Sequence, residues 1–423
     1  MSEVKISRGY TLLVYGPAKV RIEEGAGRIF GARIEAGQEI IAEPTKALPV
    51  YAVEDLRLKV ETGTFSFYPG DTIPKEWYET AELLKNRENR RILIVGDIDS
   101  GKTSLATLIV NTLVSSGDKV AVIDADVGQK SIGPPGTVGL GITETEVYSL
   151  SNIPMLDAFF IGSNTPAGII HRSISGVAAL TRKGEKVADR LVIDTTGWVT
   201  EHEGRELKFF KTLLVEPDVV LLVGGSTQLA QVARVLELFS RILRVPKPPV
   251  VYGRDKTDRR EYRKYVYSKY LAQAAVKSIP LEKTRFAYSF FTGGYPLQSN
   301  EVARLQSLLG VEVYWAERAD DYLGAVVASQ PIQQSIELVK NLFSVRHVRI
   351  LTGYELIHSV VGFMSKSRYC EGIGVITGFK PREKIINVLT NVENLEDKLW
   401  LFSTQKINPS TYEEEAGLEK WSV

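Results

Sequence analysis

An octet that matches a known phosphate-binding pattern follows directly after a run of apolar residues. Residues 96–103 read Gly-Asp-Ile-Asp-Ser-Gly-Lys-Thr, which fits the Walker A pattern GxxxxGKT, and residues 92–95 read Ile-Leu-Ile-Val. Apolar residues continue after the octet at helical spacing: Leu105, Leu108, Ile109 and Leu113. The pattern predicts a buried strand, a glycine-rich turn and a helix. In that order, successive backbone N–H groups at the helix N-terminus can surround an anionic group.

The octet supplies the candidate ligands of a nucleoside triphosphate. Lys102 would reach the β and γ phosphates, and Thr103 would offer its hydroxyl to Mg²⁺ or another divalent cation. The residues expected to bind the nucleotide are Gly96, Asp97, Ile98, Asp99, Ser100, Gly101, Lys102, Thr103 and Ser104. The strand before the octet and the helix after it argue against a chance match. The octet alone predicts a bound triphosphate and leaves open what the phosphate is used for.

Composition excludes several classes of protein. The 423 residues suffice for two or three domains, and 52 Lys and Arg against 51 Asp and Glu create no global field that would favour a nucleic-acid or membrane surface. Cys370 is the only cysteine, which excludes a disulfide framework and a cysteine-based zinc site. The N-terminus lacks the apolar segment of a signal peptide, and no apolar run approaches the length of a membrane span. We therefore expect a soluble, intracellular, cytoplasmic protein with no membrane partner.

The distribution of strand and helix patterns predicts three domains. Residues 1–72 contain short apolar runs separated by Gly and Pro, which predict a small β domain, and residues 73–90 are a polar, largely helical linker. Residues 91–279 alternate between β-branched runs and helical stretches, which is typical of a parallel sheet with right-handed crossovers. Residues 280–423 are β-rich again. The predicted fold is an α/β P-loop core, with helices on both faces of a parallel sheet, between smaller N-terminal and C-terminal β domains.

Within the core, the pattern predicts individual strands and helices. Strands are predicted at 119–123, 190–193, 219–223 and 249–252. Helices are predicted at 206–215 and 228–243. Because ligands of open α/β sheets bind beyond the carboxyl ends of the strands, the residues that follow these strands are the candidates for chemistry.

Two aspartates end the strand that follows the P-loop helix. Asp124 and Asp126 open the sequence Asp-Ala-Asp-Val-Gly-Gln, and a stiff Gly-Pro-Pro-Gly-Thr segment follows at 133–137. Beside the phosphate loop, a carboxylate can hold Mg²⁺ through water or accept a proton from an attacking hydroxyl. Either aspartate could instead cap its loop. Gln129 would orient a water or a phosphate, or would only fasten the loop.

An aromatic residue and a basic helix complete the candidate site. Trp198 follows the 190–193 strand in the run Asp-Thr-Thr-Gly-Trp, where its face could hold a nucleobase or simply cover the sheet edge. Residues 254–269 are rich in Arg and Lys with interleaved Tyr. Such a run is often a solvated helix face, but after a late core strand it can fold over the phosphate site as a lid. Arg259 and Arg263 are four residues apart and share one face.

Taken together, these motifs resemble the polynucleotide 5′-hydroxyl kinase family, whose eukaryotic members serve in RNA cleavage and processing complexes. The order is Walker A, Asp-x-Asp-Val-Gly-Gln, Pro-Pro-Gly-Thr, Thr-x-Gly-Trp and Arg-x-x-x-x-Arg-x-x-x-Arg. The resemblance spans the whole chain and is greater to archaeal or stand-alone members. It implies transfer of the γ-phosphoryl group of ATP or GTP to the 5′-hydroxyl end of RNA, and often of DNA.

The resemblance also implies roles for individual residues. Lys102 and Asp126 would be catalytic, with Asp126 activating the 5′-hydroxyl. The lid arginines would be Arg254, Arg259 and Arg263. The acceptor would contact Trp198, which forms part of a clasp, together with Gln129, Thr196, Gly197 and Thr165. The metal would be held by Thr103, Asp124 and Asp126, although some members carry Glu at the position of Asp124.

Two other functions remain compatible with the pattern. The chain could be an ATP-binding scaffold subunit of an RNA-processing complex without kinase activity, as the resemblance implies for some members. It could also be a P-loop GTPase switch. Against the switch, no NKxD-type guanine-reading motif stands in the expected place, and Asp97 follows Gly96 where a deviant Walker A loop has a second lysine. The preferred donor and acceptor and any protein partners are not predicted.

Overall fold

The chain divides into two compact units. The computed structural model describes residues 2–288, 294–380 and 382–417. Backbone contacts group the chain into Met1–Val266 and Tyr267–Val423. The finer three-domain division stays a prediction. Within the described ranges, no helix is both long enough and apolar enough to cross a membrane.

The first unit begins with short strands arranged in two antiparallel sheets. The strands are β1 (Ser2–Ile6), β2 (Tyr10–Tyr15), β3 (Ala18–Glu24), β4 (Ala26–Ile29), β5 (Ala32–Glu35), β6 (Glu39–Ala42), β7 (Ala47–Ala52), β8 (Leu56–Glu61) and β9 (Thr64–Pro69). One sheet has the order β1-β8-β3-β6, and the other has the order β5-β4-β7-β2-β9. Apolar side chains of both sheets join one buried cluster that continues into the helix after the P-loop. The expected strand-rich N-terminal region is confirmed.

The α/β core of the first unit is a seven-stranded mixed sheet. Its strands are β10 (Arg91–Gly96), β11 (Val120–Ala125), β12 (Thr137–Thr143), β13 (Met155–Phe160), β14 (Arg190–Thr195), β15 (Val219–Val223) and β16 (Arg241–Val245). The order is β16-β15-β10-β14-β11-β12-β13; the first five strands are parallel, and β12 and β13 are antiparallel additions. The parallel core is therefore confirmed, with two antiparallel strands that were not predicted.

The helices of this part of the chain connect the strands. They are α1 (Lys75–Leu83), α2 (Lys102–Ser115), α3 (Ile170–Gly184), α4 (His202–Val215), α5 (Thr227–Leu236) and α6 (Lys256–Leu271), with a 3₁₀ turn at Leu150–Asn152. Helix α2 packs against β10, β11 and β14, and α3 packs against β11, β12 and β13. The predicted helical linker contains α1, whose Trp77 is buried and donates its indole N–H to the carbonyl oxygen of Pro246 at 2.9 Å.

Two predictions near the end of the core were wrong. The helix expected at 228–243 ends at Leu236, and residues Arg241–Val245 form β16 at the sheet edge. The strand expected at 249–252 is irregular backbone. Prolines at 246, 248 and 249 explain the second error, because proline has no N–H to donate to a sheet. The apolar residues after 236 continue a helical pattern, but their β-branched neighbours pair with β15 instead.

The second unit is strand-rich, as expected, and also contains helices that were not predicted. Its strands are β17 (Ala275–Pro280), β18 (Arg285–Ala287), β19 (Tyr295–Pro296), β20 (Val313–Ala319), β21 (Tyr322–Val327), β22 (His347–Thr352), β23 (Ser359–Met364), β24 (Cys370–Lys380), β25 (Ile385–Thr390), β26 (Leu399–Ile407) and β27 (Glu414–Glu415). The helices are α7 (Ser299–Leu309), α8 (Gln333–Phe343) and α9 (Gly353–Leu356), with 3₁₀ turns at Leu281–Lys283 and Leu395–Asp397. Helices α7 and α8 bury residues four apart, Leu305 with Leu309 and Val339 with Phe343, against the β19-β20-β21-β22 sheet.

One buried amide fastens the P-loop helix to the segments around it. Asn111 Nδ2 donates to the carbonyl oxygens of Phe30 and Val147, both at 2.8 Å, and Asn111 Oδ1 accepts the N–H of Val147 at 2.8 Å. The side chain is 1% exposed. Because a buried polar group is costly unless it is hydrogen-bonded, this amide stabilises one position of α2 relative to the N-terminal strands.

We expect Asn111→Leu to lower the free energy of unfolding by about 3 kcal/mol. The leucine keeps the branched shape of the side chain but leaves two carbonyl oxygens and one N–H without this partner, and such groups cost about 1–3 kcal/mol each. Urea denaturation measures the change. Asn341→Leu, at an exposed position of α8, is the matched control and should change stability by less than about 0.5 kcal/mol. Equal stabilities of the two variants would contradict the assigned role of the amide.

Candidate active site

Three of the predicted motifs meet at the carboxyl edge of the central sheet. Strands β10, β14 and β11 are adjacent and parallel, and Asp194 lies level with Ile94 on one side and Asp124 on the other. Strand β10 leads into the P-loop, β11 into the loop with Asp126, and β14 into the segment with Trp198. Residues of all three segments line one cavity of about 460 Å³. This volume is within the range of small-molecule sites.

The P-loop has the backbone geometry of a phosphate-binding turn. Asp99 and Gly101 have positive φ angles of 50° and 88°, and α2 begins at Lys102. The Lys102 side chain is almost fully buried, and its Nζ donates to the carbonyl oxygen of Asp97 at 2.6 Å. Burial lowers the pKa of Lys102, and nearby carboxylates, Asp194 foremost, oppose that shift. The loop thus closes around its own lysine, which lines the cavity.

The start of the P-loop is fastened to the neighbouring strand β15. The Asp97 carboxylate accepts the Ser226 hydroxyl and, at 3.3 Å, the Ser226 backbone N–H. A Cβ on Gly96 would lie 2.4 Å from the carbonyl oxygen of Val223, so only glycine permits this approach. Of the residues predicted to bind the nucleotide, those at 98–104 line the cavity, whereas Gly96 and Asp97 do not.

Asp194 was not predicted as a site residue, yet it contacts the P-loop directly. Thr103 Oγ1 donates to Asp194 Oδ2 at 2.6 Å, and Asp194 is 2% exposed. Its Oδ1 atom is buried and has no hydrogen-bond partner in the described part of the chain. Burial and, next, the Asp124 carboxylate raise the pKa of Asp194 to about 7. A signal was present in the sequence, because an aspartate that closes an apolar strand near a P-loop is the usual second contributor to a nucleotide-bound metal.

Asp124 and Asp126 have different surroundings although they are two residues apart. Asp124 Oδ1 accepts the N–H of Asp126, and Oδ2 accepts the N–H groups of Ser131 and Ile132 at 2.6 and 2.9 Å. The buried ammonium of Lys130 lies 3.1 Å from the same Oδ2. Both oxygens of Asp124 are therefore occupied, and the residue does not line the cavity. This arrangement favours loop fastening over the predicted metal ligation.

Asp126 lines the cavity and keeps one carboxylate oxygen uncommitted. Its Oδ1 atom accepts the N–H groups of Gly128 and Gln129 at 3.0 and 3.2 Å, which holds the carboxylate in one orientation. Within the described residues, Oδ2 has no hydrogen-bond partner. Gln129 also lines the cavity, and its Oε1 is buried without a partner among those residues.

The segment with Trp198 packs closely on the P-loop and on α4. A Cβ on Gly197 would lie 2.6 Å from the Cα atom of Ile98, so the glycine allows the segment to approach the phosphate loop. Trp198 is half-buried, and a Cβ on Gly204 of α4 would lie 3.1 Å from the indole ring. Thr196, Gly197 and Trp198 all line the cavity. The indole is thus held at the cavity wall, where it is available for stacking.

Thr165 is the one predicted acceptor residue that the structure does not bring to the cavity. Its side chain is exposed, and its Oγ1 atom accepts the N–H of Ala167 at 3.3 Å. The neighbouring residues Asn164 and Pro166 line the cavity instead.

Arginines of helix α6 and the segment before it reach both loops of the site. Arg259 Nη2 lies 3.2 Å from Asp99 Oδ2 on the P-loop, and Arg263 Nη1 donates to the carbonyl oxygen of Gly128 at 3.4 Å. Arg254, Arg259 and Arg263 all line the cavity. The basic residues of α6 are therefore not simply a solvated helix face, because Arg259 contacts the P-loop and Arg263 contacts the loop that contains Asp126.

A buried cluster holds α6 against the N-terminal strands. The Tyr262 hydroxyl donates to Glu43 Oε2 at 3.1 Å, and Lys46 Nζ lies 2.8 Å from the same oxygen. Lys46 Nζ also lies 4.8 Å from the centroid of the Tyr262 ring. Tyr262 is 1% exposed. The sequence offered no sign of this cluster, because Tyr262 is 219 positions from Glu43 in the chain.

The comparisons with known proteins agree with this geometry. Residues 96–273 match the family described as the P-loop of mRNA cleavage and polyadenylation factor CLP1. A polyribonucleotide 5′-hydroxyl-kinase of Pyrococcus furiosus is 32% identical over 320 residues, which cover 76% of this chain and 88% of the relative. A second such kinase, from Methanocaldococcus jannaschii, is 26% identical over 329 residues, which cover 77% of this chain and 89% of the relative.

A solved structure agrees in fold. The structure of a wild-type Clp1p–Pcf11p complex contains a chain that matches with a TM-score of 0.67 at 15% identity, covering 96% of this chain and 97% of that chain. The expected architecture of a P-loop core with flanking β regions is thereby confirmed. On these matches, the chain belongs to the CLP1-related polyribonucleotide 5′-hydroxyl-kinase family.

Proposed function

We propose that this chain is a polynucleotide kinase that transfers the γ-phosphoryl group of ATP or GTP to the 5′-hydroxyl end of RNA. The observation that carries the proposal is that one cavity is lined by a P-loop lysine and by a carboxylate with an uncommitted oxygen, Lys102 and Asp126. The reaction requires a site that binds a phosphate donor next to a hydroxyl acceptor. In this cavity Lys102 could bind the donor phosphates, and Asp126 could accept the proton of the hydroxyl. Membership of the family supports the same reaction.

The donor would bind through the P-loop together with a divalent cation. Thr103 Oγ1 and the Asp194 carboxylate are hard oxygen ligands, and the buried Asp194 Oδ1 has no partner in the described residues. These groups fit Mg²⁺, which prefers oxygen ligands and keeps several sites for water and phosphate. In the described ranges, no group of three or more His, Cys, Asp or Glu is arranged to hold a metal. When bound, the cation would neutralise charge on the β and γ phosphates.

The base of the donor would rest against the N-terminal strands. Tyr15 and Tyr68 line the cavity, and the Tyr15 ring centroid lies 5.3 Å from that of Tyr252. Stacking on aromatic rings tolerates any base. This supports the use of either ATP or GTP as the donor.

The acceptor would present its 5′-hydroxyl to Asp126. Because Oδ1 is held by two N–H groups, Oδ2 is the atom that would accept the hydroxyl proton as the oxygen attacks the γ-phosphorus. The bond from the γ-phosphorus to the oxygen that bridges it to the β-phosphate would break, and the nucleoside diphosphate would leave. Trp198 would stack on the terminal base, and Gln129 would contact a nearby phosphate. Holding both reactants in one orientation is worth several kcal/mol, since it replaces an encounter in solution.

The lid arginines would act on the transferring group. Arg259 and Arg263 already contact the loops on which the donor and the general base lie. Guanidinium groups beside a phosphoryl group in transfer stabilise the charge that its equatorial oxygens carry. Arg254 is half-buried at the same cavity and would add a third positive charge beside the transferring phosphoryl group.

Replacement of the proposed donor and acceptor groups should abolish transfer. We expect Lys102→Ala and Asp126→Asn each to lower turnover at least about a hundredfold, because one loses phosphate contact and the other loses the proton acceptor. Label from the γ-phosphate is followed onto 5′-hydroxyl RNA and DNA oligomers. Lys366→Ala and Asp320→Asn, at exposed positions, are the matched controls and should keep wild-type turnover.

The same assay separates the proposal from its rivals. Asp126→Asn should keep nucleotide binding while transfer is lost. A wild-type protein that binds nucleotide but labels neither oligomer would favour the scaffold. Hydrolysis that a protein partner stimulates, without transfer to RNA, would favour the GTPase switch.

Removal of the Trp198 indole should weaken the binding of the oligonucleotide and leave the binding of the nucleotide unchanged. Base stacking on an aromatic side chain is worth about 1–3 kcal/mol, so we expect Trp198→Ala to raise the KM for the oligonucleotide about 5- to 100-fold. The KM for the nucleotide should stay near its wild-type value, and Trp198→Phe should recover most of the loss. Wild-type kinetics in Trp198→Ala would contradict the clasp.

The raised pKa of Asp194 predicts a pH-dependent effect of replacing its carboxyl group. With a folded-state pKa of about 7 against an ordinary value of 3.8 for an aspartate, the folded protein keeps a proton that the unfolded chain releases, so stability falls as pH rises through this window. The advantage of Asp194→Asn over wild type in unfolding free energy should therefore grow by about 3 kcal/mol from pH 5 to pH 8. Urea denaturation at both pH values measures it, with Asp320→Asn as the exposed control. An advantage independent of pH would refute the assigned burial cost.

A further inference from the structure

A buried lysine that the proposed reaction does not use contacts residues 195–198, which we call the clasp segment. Lys208 is on α4 and is 0% exposed. Its Nζ donates to the hydroxyl oxygens of Thr195 and Thr196, each at 3.1 Å, and to the carbonyl oxygen of Thr196. An ammonium group has three N–H donors, and here each has an acceptor in the same two-residue turn.

The three contacts connect the acceptor side of the cavity to the donor side. Thr195 Oγ1, which accepts from Lys208, itself donates to the carbonyl oxygen of Ile94 at 2.7 Å. Ile94 belongs to β10, the strand that leads into the P-loop. One ammonium group therefore holds the turn before Gly197 and Trp198 and, through one hydroxyl, the strand before the phosphate loop.

A purely structural explanation does not account for a lysine at this position. Taking an ammonium group out of water costs several kcal/mol, and apolar side chains of similar volume often serve stability as well or better. Burial, and next the neighbouring Lys211, lower the pKa of Lys208 well below its usual range. An apolar residue would avoid this cost but could not hold the three oxygens of the turn.

Lys211 provides an internal comparison on the same helix. It is 1% exposed, and its Nζ has no hydrogen-bond partner among the described residues. Its burial resembles that of Lys208, but it makes no contact with the Thr195–Thr196 turn. A comparison of variants at the two positions therefore separates the effect of burying an ammonium group from the effect of its contacts with Thr195 and Thr196.

We propose that Lys208 is a positioning residue for the acceptor, which sets the clasp segment with Trp198 in register with the P-loop by holding the Thr195–Thr196 turn. The inference rests on the proposed kinase function. Displacement of the clasp by about 1 Å would misalign the 5′-hydroxyl and the γ-phosphate, and such shifts can cost about a hundredfold in rate. The donor nucleotide, held by the P-loop itself, should bind as before.

The test compares Lys208→Met with Lys211→Met. We expect Lys208→Met to raise the KM for a 5′-hydroxyl RNA oligonucleotide at least about tenfold and to lower kcat, with the KM for ATP within about twofold of wild type. Lys211→Met should leave the oligonucleotide KM within about twofold. An unchanged oligonucleotide KM in Lys208→Met, or an equal rise in Lys211→Met, would overturn the proposal.

A second variant keeps the proposal testable if Lys208→Met does not fold, which circular dichroism would reveal. Thr195→Val keeps the shape of the side chain but removes the hydroxyl between Lys208 and Ile94, and it should raise the oligonucleotide KM in the same selective way. Where both variants fold, the double variant should be less than additive, since the two changes break one network. A wild-type KM in Thr195→Val, or full additivity, would overturn the proposal.

A binding measurement separates this inference from the kinase proposal. Fluorescence anisotropy of a labelled 5′-hydroxyl RNA, with a non-hydrolysable ATP analogue present, reports acceptor binding without turnover. If the wild-type protein transfers no phosphate, the kinase proposal fails. Weaker RNA binding by Lys208→Met but not by Lys211→Met would still support the positioning role, and equal binding by all three proteins would overturn it.

Discussion

The site depends on charged groups that are buried together at the carboxyl edge of the central sheet. Asp124 and Asp194 are almost fully buried, and the ammonium groups of Lys102, Lys130 and Lys208 are buried around them. Burying such groups is costly unless each has partners in good geometry. Each of these five residues has at least one partner, and the partners are backbone groups and side chains of the segments that form the site. If these segments moved, the buried charged groups would lose their partners, and this cost in free energy holds the segments in place.

Close backbone approach provides the second constraint on the loops. Glycine at 96 and at 197 allows the P-loop to lie against β15 and the clasp segment to lie against the P-loop. The parallel order of β10, β14 and β11 brings the three loops to one edge, and α6 closes over two of them through Arg259 and Arg263. Donor and acceptor groups can then share one cavity without a large rearrangement of the sheet. Preorganisation of this kind is what phosphoryl transfer requires, because the protein contributes position and charge and no covalent chemistry.

The parts that sequence reasoning could predict are those with a local signal. The P-loop, the Asp126 motif and the parallel strands have short-range patterns, and the structure brings these motifs together. Asp194 has a local signal as well, because it is an acidic residue near the end of an apolar strand. The contact of Tyr262 with Glu43 had none, because the two residues are 219 positions apart and only packing makes them neighbours. The contacts of Lys208 with Thr195 and Thr196 span 12 or 13 positions, but no sequence pattern indicates that the lysine side chain reaches back to them. The error at 228–243 has the same origin: the apolar pattern fits a helix, and pairing with β15 decides otherwise.

The two aspartates of the Asp-Ala-Asp motif illustrate how packing gives different surroundings to two residues of the same type. Asp124 lies within strand β11. Its carboxylate accepts N–H groups of the following loop and lies next to the Lys130 ammonium, so both of its oxygens are occupied. Asp126 is past the last strand residue, and its own turn holds only Oδ1. A carboxylate oxygen that already accepts hydrogen bonds from its own loop has no lone pair directed at a substrate, whereas an oxygen that is open to a cavity can accept a proton from a hydroxyl there. The proposal that Asp126 is the general base therefore rests on the position at which the strand ends.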